Sequence, residues 1–374
     1  MPQLVLPLRE YLLAALTAAV VTFLLVGPVR LLALKLGAVA WPRGRDVHVT
    51  PTPRWGGIAM LGGVLAGIGT AYQLPALRLA FDTNSAEVLG TALAAVLLCG
   101  VGVLDDRYDL DALTKFAGQT TAAGILIIVG LQWLQLPNPV SGGLFLLPPE
   151  QGMLATVLLT VALVNAMNFI DGLDGLAAGV GMIAALATGL YAISLIVKYG
   201  NDASYYSPSL IAAVLAGACV GFLPHNFNPA RIFMGDSGSM LIGVLLAAAT
   251  TGSSSRTPPD ALATNYLALL SPLIVVAAVV FVPVLDLLLA VVRRTRAGRS
   301  PFSADKMHLH HRLLEIGHSQ RRAVLLIYLW ASVLAFGAVA LTFIPDVTVV
   351  LVTVGFGLVL AVVATAVPRL RYHV

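Results

Sequence analysis

Residues 152–175 read GMLATVLLTVALVNAMNFIDGLDG, a long apolar stretch that ends in a polar motif, and stretches of this kind decide the fold. The apolar part, residues 152–168, approaches the length of about 20 residues that a helix needs to cross a bilayer. The rest of the chain has the same character, because 58% of its 374 residues are hydrophobic and 11% are charged. A soluble domain carries roughly a quarter charged residues. The composition therefore indicates that lipid surrounds this protein.

Eleven apolar runs are candidate membrane-spanning helices. They cover residues 11–34, 56–73, 86–104, 113–134, 152–168, 175–198, 209–224, 236–251, 263–291, 323–344 and 347–367. We therefore predict an all-α integral membrane protein in which residues 1–374 form a single polytopic domain, a bundle of about 11 transmembrane helices. The active-site loops are expected on the cytoplasmic side, with a long loop at about residues 292–322.

The basic residues predict the orientation. With the N-terminus outside, 18 of the 22 lysines and arginines lie on inside loops and 4 on outside loops. Cytoplasmic loops of membrane proteins carry such an excess. We therefore predict a multi-pass protein of the plasma membrane whose C-terminus faces the cytoplasm. Four polar clusters fall on these inside loops, which favours a single cytoplasmic active site over a transport pathway, whose ionisable groups lie near the bilayer midplane.

The first polar cluster is a pair of adjacent carboxylates, Asp105 and Asp106, at the end of a predicted span. Two carboxylates at a membrane boundary repel each other and are costly to desolvate, and a divalent cation would relieve that cost. Lys115 follows at the start of the next span and is a candidate phosphate ligand. The alternatives are a solvated helix end for the aspartates and an interfacial snorkelling side chain for the lysine.

The second cluster is Asn165, Asn168, Asp171 and Asp174, which recur every third residue. On a helix the first three would drift slowly around one face. Oxygen ligands of this kind suit Mg²⁺ or Mn²⁺. The alternative is a polar turn between two spans, which would not require two asparagines upstream of it.

The third cluster runs from His225 to Ser239 and contains Asn226, Phe233 and Asp236. Asp236 stands where a span begins, so it is a candidate both for a helix N-cap and for a metal ligand at the positive end of that helix. Phe233 offers a ring on which a nucleobase could stack, and core packing is the alternative for it.

The fourth cluster lies in the predicted long loop, where Lys306, His308, His310 and His311 form a compact cationic patch. Binding of a pyrophosphate is the favoured interpretation, because basic side chains and no cysteine surround the histidines. A zinc site that includes His318 is the alternative.

His48 belongs to a smaller group that also contains Arg54 and precedes the second span. It is a further candidate for contact with phosphate, although an ordinary positive inside loop explains the same group. Asp286 lies inside the ninth predicted span, where an ionisable residue is either functional or paired with a neighbouring arginine.

Together the four clusters resemble the polyprenyl-phosphate N-acetylhexosamine-1-phosphate transferase superfamily. The matching strings are Val-Leu-Asp-Asp-Arg-Tyr-Asp (103–109), Asn-Ala-Met-Asn-Phe-Ile-Asp-Gly-Leu-Asp-Gly (165–175), Phe-Met-Gly-Asp-Ser-Gly-Ser (233–239) and His-Leu-His-His (308–311), in the family's order. The resemblance covers about residues 20–340 and looks most like the bacterial WecA/TagO-type branch that uses UDP-GlcNAc. The end of the histidine loop is similar to actinobacterial members, whose carrier is typically decaprenyl phosphate.

The resemblance implies a phosphoglycosyltransferase that depends on Mg²⁺, with Mn²⁺ as the alternative ion. It would transfer GlcNAc-1-phosphate from UDP-GlcNAc to undecaprenyl or decaprenyl phosphate in the membrane lipid and release UMP, as the first membrane step of cell-envelope polysaccharide synthesis. The residues and the resemblance together assign catalysis to Asp105, Asp106 and Lys115, metal binding to Asp236, Asn168 and Asp171, and substrate binding to Asn165, Asp174, Asn226, Phe233, Lys306, His308, His310, His311 and His48.

A phospho-MurNAc-pentapeptide transferase or another UDP-HexNAc-1-phosphate transferase is the main alternative. The pentapeptide enzymes typically carry three contiguous histidines, whereas a leucine separates His308 from His310 here. The chain has neither a P-loop nor a Gly-x-Gly-x-x-Gly motif after a strand, so a nucleotide site would have to be assembled from loops. No nucleic-acid partner is predicted, and the sequence leaves a homodimer open.

Overall fold

A computed structural model describes residues 6–41, 51–137, 144–199, 203–256, 270–279, 295 and 318–366. Most of these residues are helical. The long helices are α1 (Leu8–Lys35), α2 (Gly56–Gln73), α3 (Arg78–Tyr108), α4 (Ala112–Ile128), α5 (Pro149–Ile170), α6 (Leu176–Tyr199), α7 (Tyr206–Asn226), α8 (Gly235–Ser254), α9 (Gln320–Phe343) and α10 (Val347–Ala366). A 3-10 turn at Ala203–Tyr205 leads into α7, and residues 271–279 are also helical.

Two short antiparallel hairpins join some of these helices. The first pairs β1 (Val39–Ala40) with β2 (Thr52–Pro53) and lies between α1 and α2. The second pairs β3 (Gln135–Pro137) with β4 (Leu144–Leu146) and lies between α4 and α5.

Eight of the ten helices α1–α10, all but α2 and α4, are long and apolar enough to cross a membrane. The prediction of an all-α integral membrane protein is therefore confirmed. Each predicted span coincides with one helix except the span at 263–291, of which only residues 270–279 lie among the described residues.

Two helix boundaries differ from the prediction. The span predicted at 86–104 is part of a longer helix, because α3 begins at Arg78 and bends at Asn84, whose backbone is non-helical (φ −137°, ψ 44°). The first segment of α3 is polar, so hydropathy alone did not include it. The span predicted at 113–134 ends early, at Ile128, because Gly130 adopts a left-handed conformation (φ 92°) and the N–H of Leu131 turns back to the carbonyl of Leu126 (2.9 Å).

The central helix of the bundle is α8. Every residue of its apolar segment is buried, whereas only 11% of the residues in the apolar segment of α10 are buried, so α10 presents its side chains outward. α8 is surrounded by α2, α3, α5, α6 and α7. Lipid provides no hydrophobic force between helices, so such a bundle depends on close packing. Small residues supply it, since residues 247–249 of α8 are all alanine and fully buried.

The starts of α2 and α8 and the end of α3 meet at one end of the bundle. The N–H of Gly56 donates to the carbonyl of Phe233 (3.0 Å), and the N–H of Phe233 donates to the carbonyl of Pro53 (2.8 Å). A Cβ on Gly57 would lie 2.2 Å from the backbone nitrogen of Gly238, so a larger residue there would push α2 away from α8. A Cβ on Gly102 of α3 would lie 2.4 Å from the carbonyl carbon of Asp236, and this second close approach brings the first and third polar clusters side by side.

Candidate active site

Lys115 lies between two carboxylates that come from different helices. Its Nζ is 3.1 Å from Oδ2 of Asp105 and 3.7 Å from Oδ2 of Asp236. The carboxyl groups of Asp105 and Asp236 also interact directly. The structure thus brings together three of the predicted residues, one each from α3, α4 and α8.

The turn between α3 and α4 explains how Lys115 reaches Asp105. Asp109 ends α3 in the left-handed conformation (φ 56°), which aspartate tolerates better than most residues. Asp111 then caps α4 by accepting a hydrogen bond from a backbone N–H of its first turn (2.9 Å). Oδ1 of Asp105 accepts from the N–H of Leu110 (2.8 Å). Since α4 starts beside the end of α3, its first turn carries Lys115 back to Asp105.

Asp106 has a different environment from its neighbour. Its side chain is 1% exposed, with Nη1 of Arg54 3.8 Å from Oδ1. Oδ1 accepts a hydrogen bond from the N–H of Asp236 (3.1 Å), and Oδ2 accepts one from the N–H of Ser237 (3.3 Å). The carboxylate therefore caps the N-terminus of α8, where the helix dipole favours negative charge. These contacts hold Asp236 in place, and a catalytic role for Asp106 itself stays a prediction.

Gly235 has no side chain, so the carboxylate of Asp106 can approach the N-terminus of α8. Its φ of +70° belongs to the left-handed region, and a Cβ there would lie 2.3 Å from Oδ2 of Asp106. Glycine is the residue that satisfies both conditions.

Replacing Asp106 by asparagine should weaken the start of α8. An asparagine amide accepts only at its oxygen, so one of the two backbone N–H groups loses its partner and the negative charge at the helix dipole is lost. We expect a destabilisation of about 1–2 kcal/mol, measured as a lower Tm in detergent or nanodiscs. Asp111→Asn is the matched control, because asparagine and aspartate cap exposed helices about equally well. Equal Tm values for the two variants would contradict the capping role.

Asn168 connects α5 to the same centre. Its Nδ2 donates to Oγ of Ser239 (3.2 Å), and its amide lies close to the carboxyl of Asp236. Asp171 follows directly after α5. Burial, together with the negative charges of Asp236 and Asp106, raises the pKa of Asp171 well above its ordinary value. A divalent cation between these groups would offset that electrostatic cost.

The oxygen donors of this centre suit a magnesium ion. Among residues whose side chains the structure describes, no group of three or more His, Cys, Asp or Glu forms a metal site. Mg²⁺ is usually held by one or two carboxylates together with substrate phosphates and water, rather than by an all-protein cage. Asp236, with its side chain 26% exposed, fits that arrangement.

Asn165 takes part in the contact between α4 and α5. Its Nδ2 donates to Oε1 of Gln119 and to the carbonyl of Val161, both at 2.8 Å. Gln119 is buried and lies one helical turn from Lys115. Gln119 was not predicted from the sequence, although its i, i+4 spacing from Lys115 is a signal that could have identified it. The predicted substrate contact of Asn165 stays a prediction.

Asn226 joins two segments of the backbone near the site. Its side chain accepts from the N–H of Gly175 and donates to the carbonyl of Ile232, both at 3.0 Å, and the residue is 2% exposed. The oxygen and the nitrogen of its side-chain amide are therefore both hydrogen-bonded to backbone, and these bonds hold the two segments together beside the site. Phe233 is half-buried nearby. The predicted nucleotide contacts of Asn226 and Phe233 stay predictions.

Asp174 is linked to the start of α9 by hydrogen bonds through Asn228. Its Oδ2 accepts from Nδ2 of Asn228 (2.9 Å) and from the N–H of Ala230 (3.0 Å). Asn228 also donates to Oε1 of Gln320 (2.7 Å), and its carbonyl accepts from Nε of Arg321 (2.8 Å). The second and third clusters and the start of α9 therefore form one continuous polar surface.

Part of the predicted site falls outside the residues that the structure describes. These residues are His48, Lys306, His308, His310 and His311, together with Asp286. His318 is described and is 4% exposed, with Nε2 3.0 Å from the carbonyl oxygen of Thr365 on α10.

Comparison with known proteins decides the family. The sequence pattern of glycosyl transferase family 4 matches residues 88–254, from α3 to the end of α8. A decaprenyl-phosphate N-acetylglucosaminephosphotransferase of Mycobacterium tuberculosis (strain ATCC 25618 / H37Rv) is 56% identical over 98% of this chain and 90% of its own length. The chain belongs to glycosyl transferase family 4.

Other family 4 relatives are more distant. A probable undecaprenyl-phosphate N-acetylglucosaminyl 1-phosphate transferase of Bacillus subtilis (strain 168) is 34% identical over 88% of this chain and 85% of its own length. An undecaprenyl-phosphate alpha-N-acetylglucosaminyl 1-phosphate transferase of Yersinia pestis is 30% identical over 85% of this chain and 81% of its own length. The resemblance predicted from the four motifs is confirmed, and this family 4 chain is a membrane-embedded transferase.

Proposed function

We propose that this family 4 enzyme transfers GlcNAc-1-phosphate from UDP-GlcNAc to a polyprenyl phosphate and releases UMP. The observation that carries the proposal is the position of Lys115 between Asp105 and Asp236 at one end of a membrane bundle. Lys115 can bind one phosphate while the carboxylate of Asp236 can hold a divalent cation for a second, so that the charge between two phosphorylated molecules would be reduced. The relatives support the same activity, since their names state a GlcNAc donor group and a polyprenyl phosphate.

The reaction must bring two anions together. An oxygen of the lipid phosphate attacks the β-phosphorus of UDP-GlcNAc, and the bond from that phosphorus to the bridging oxygen breaks, so that UMP leaves with the bridging oxygen. Asp105 accepts the remaining proton of the lipid phosphate, a group whose second pKa is about 6. Lys115 binds the attacking phosphate, which reduces the repulsion between the two substrates.

Magnesium, with manganese as the alternative, is proposed to bind at Asp236, with Asn168 and Asp171 beside it. When bound, the ion neutralises the charge that develops on the UMP leaving group. The raised pKa of Asp171 and the contact between Asn168 and Asp236 support a cation at this place.

The nucleotide end of the donor is proposed to bind over the polar surface formed by Asp174 and the segment around Phe233. The histidine patch at residues 306–311 is proposed to approach the pyrophosphate. Asp174 already has two described hydrogen bonds, so its role there is to fix the loop that receives the nucleotide.

The carrier is proposed to be decaprenyl phosphate. Relatives from Mycobacterium tuberculosis and Mycolicibacterium smegmatis, at 56% and 54% identity, carry decaprenyl phosphate in their names. The relatives at 34% and 30% identity carry undecaprenyl phosphate.

The enzyme is proposed to lie in the plasma membrane with its N-terminus outside and its active site in the cytoplasm. The excess of 18 over 4 basic residues supports this orientation. The position of Asp105, Lys115 and Asp236 at a single end of the bundle is consistent with it.

A UMP-release assay tests the proposed function. Purified enzyme is incubated with Mg²⁺, decaprenyl or undecaprenyl phosphate, and one of three donors: UDP-GlcNAc, UDP-GalNAc or UDP-MurNAc-pentapeptide. We expect UMP release with UDP-GlcNAc only when both the lipid phosphate and the ion are present. Release with UDP-MurNAc-pentapeptide and none with UDP-GlcNAc would instead assign the enzyme to the alternative reaction.

A further inference from the structure

A buried ion pair joins α3 and α8 at the end of the bundle opposite to the active site. Glu87 of α3 and Arg256, just beyond α8, are in direct contact, with their side chains only 11% and 14% exposed. Nη1 of Arg256 also donates to the carbonyl of Gly252 (2.7 Å), and the backbone carbonyl of Arg256 accepts from the hydroxyl of Tyr205 (3.1 Å). We infer that Glu87 and Arg256 are a positioning pair that sets the axial position of α8, and through it the position of Asp236 in the active site.

The two ends of α8 are held by opposite charges. Asp106 of α3 caps the N-terminus of α8, and Arg256 binds a carbonyl of its last turn while it contacts Glu87 of α3. Negative charge at the start of a helix and positive charge at its end both complement the helix dipole. The same neighbouring helix, α3, therefore fixes α8 at both ends.

The middle of α8 has no charged side chain that could fix its position along the axis. Residues 240–249 read MLIGVLLAAA and carry no polar side chain. Close packing, such as that of Gly243 against Val164 of α5, holds this segment within the bundle, whereas the charged contacts of α8 with Asp106 and Arg256 lie at its two ends. A helix is stiff along its axis, and α8 rises about 1.5 Å per residue. A shift at Arg256 would therefore reach Asp236, about 30 Å away, almost undiminished.

The pair depends on both of its members. Oε2 of Glu87 is buried and has no hydrogen-bond partner among the residues that the structure describes. The carboxylate therefore relies on Arg256 for compensation of its charge. Removal of either partner leaves a buried charge without its counterion, and the end of α8 would move to relieve it.

The test compares neutral and charge-conserving variants of the full-length enzyme. Arg256→Met keeps the length of the side chain and removes its charge, Arg256→Lys keeps the charge, and Glu87→Gln removes the opposite charge. Arg78→Met is the matched control, because Arg78 is an exposed residue of α3 at the same end of the bundle and contacts the ring of Tyr72. Each variant is assayed for kcat and for amide hydrogen exchange of residues 233–239.

The exchange measurement separates positioning from general stability. The N–H groups of Asp236 and Ser237 are protected by Asp106 in the folded protein. We expect Arg256→Met and Glu87→Gln to speed their exchange and to lower kcat about tenfold or more, since a displacement near 1 Å in a catalytic site can cost about a hundredfold. Arg256→Lys should keep most of the wild-type kcat and most of the protection of these amides. Arg78→Met should change neither kcat nor the exchange rates.

A lower Tm with unchanged kcat and unchanged exchange at residues 233–239 would show that the pair only stabilises the bundle, and would overturn the inference. If the neutral variants do not fold, Glu87→Asp decides in their place, because it keeps the charge and shortens the side chain by one methylene. Normal kcat and normal exchange in Glu87→Asp would contradict the inference in the same way.

Discussion

Asp236→Asn is expected to lower kcat by about a thousandfold or more while the protein still folds and inserts, because a bound metal supplies several kcal/mol of transition-state stabilisation. The substitution keeps the size of the side chain and its contact with Asn168, but it removes the negative charge that the proposed cation needs. The backbone N–H of residue 236 remains available to Asp106. Initial rates of UMP release at saturating Mg²⁺ measure the effect.

The matched control for this variant is Asp82→Asn, the same chemical change at an exposed position near the start of α3. It should leave kcat and Tm unchanged. Near-normal turnover in Asp236→Asn would remove Asp236 from the mechanism. A large loss of Tm would instead mean that the carboxylate has a structural role like that of Asp106.

Asp105→Asn is expected to lower kcat about a hundredfold or more near pH 6, the magnitude typical of a lost general base. An asparagine cannot accept the proton of the lipid phosphate. Since the second pKa of a phosphate monoester is about 6, most of the substrate is already deprotonated near pH 8, and the defect should shrink there. The ratio of wild-type to variant kcat between pH 6 and pH 8 measures this dependence.

Asp109→Asn is the control for this second variant. Asp109 is exposed in the same turn and adopts a left-handed conformation (φ 56°) that asparagine also accepts. The kcat of the Asp109→Asn variant should depend on pH in the same way as the kcat of the wild-type enzyme. If Asp105→Asn lowers kcat by the same factor at every pH, Asp105 is not the proton acceptor. Its role would then be limited to the orientation of Lys115.

The membrane architecture could be predicted from the sequence because hydropathy acts locally along the chain. Residues 152–168 are apolar enough to identify α5 without knowledge of its neighbours. The predicted helix boundaries are wrong where the extent of a helix does not follow the local hydropathy. The polar start of α3 is helical because it continues a longer helix through the bend at Asn84, and α4 ends at Ile128 because Gly130 takes a left-handed conformation just after it.

The candidate site could be predicted as a set of residues but not as an arrangement. Asp105 and Asp106 are equivalent in the sequence, yet one contacts Lys115 and the other caps α8. Which of two adjacent side chains faces a neighbouring helix depends on helix packing, and the sequence does not state it. Glu87 and Arg256 were not predicted as a pair for the same reason, since 169 residues separate them along the chain.

The most direct test of the account is whether a single ion contacts both Asp236 and the donor diphosphate. Mn²⁺ can replace Mg²⁺ for this purpose, and electron–nuclear double resonance detects phosphorus nuclei bound next to it. With UDP-GlcNAc present, we predict phosphorus couplings in the wild-type enzyme and their loss in Asp236→Asn. Couplings of equal strength in both proteins, or none in a wild-type enzyme that is saturated with donor, would contradict the central claim.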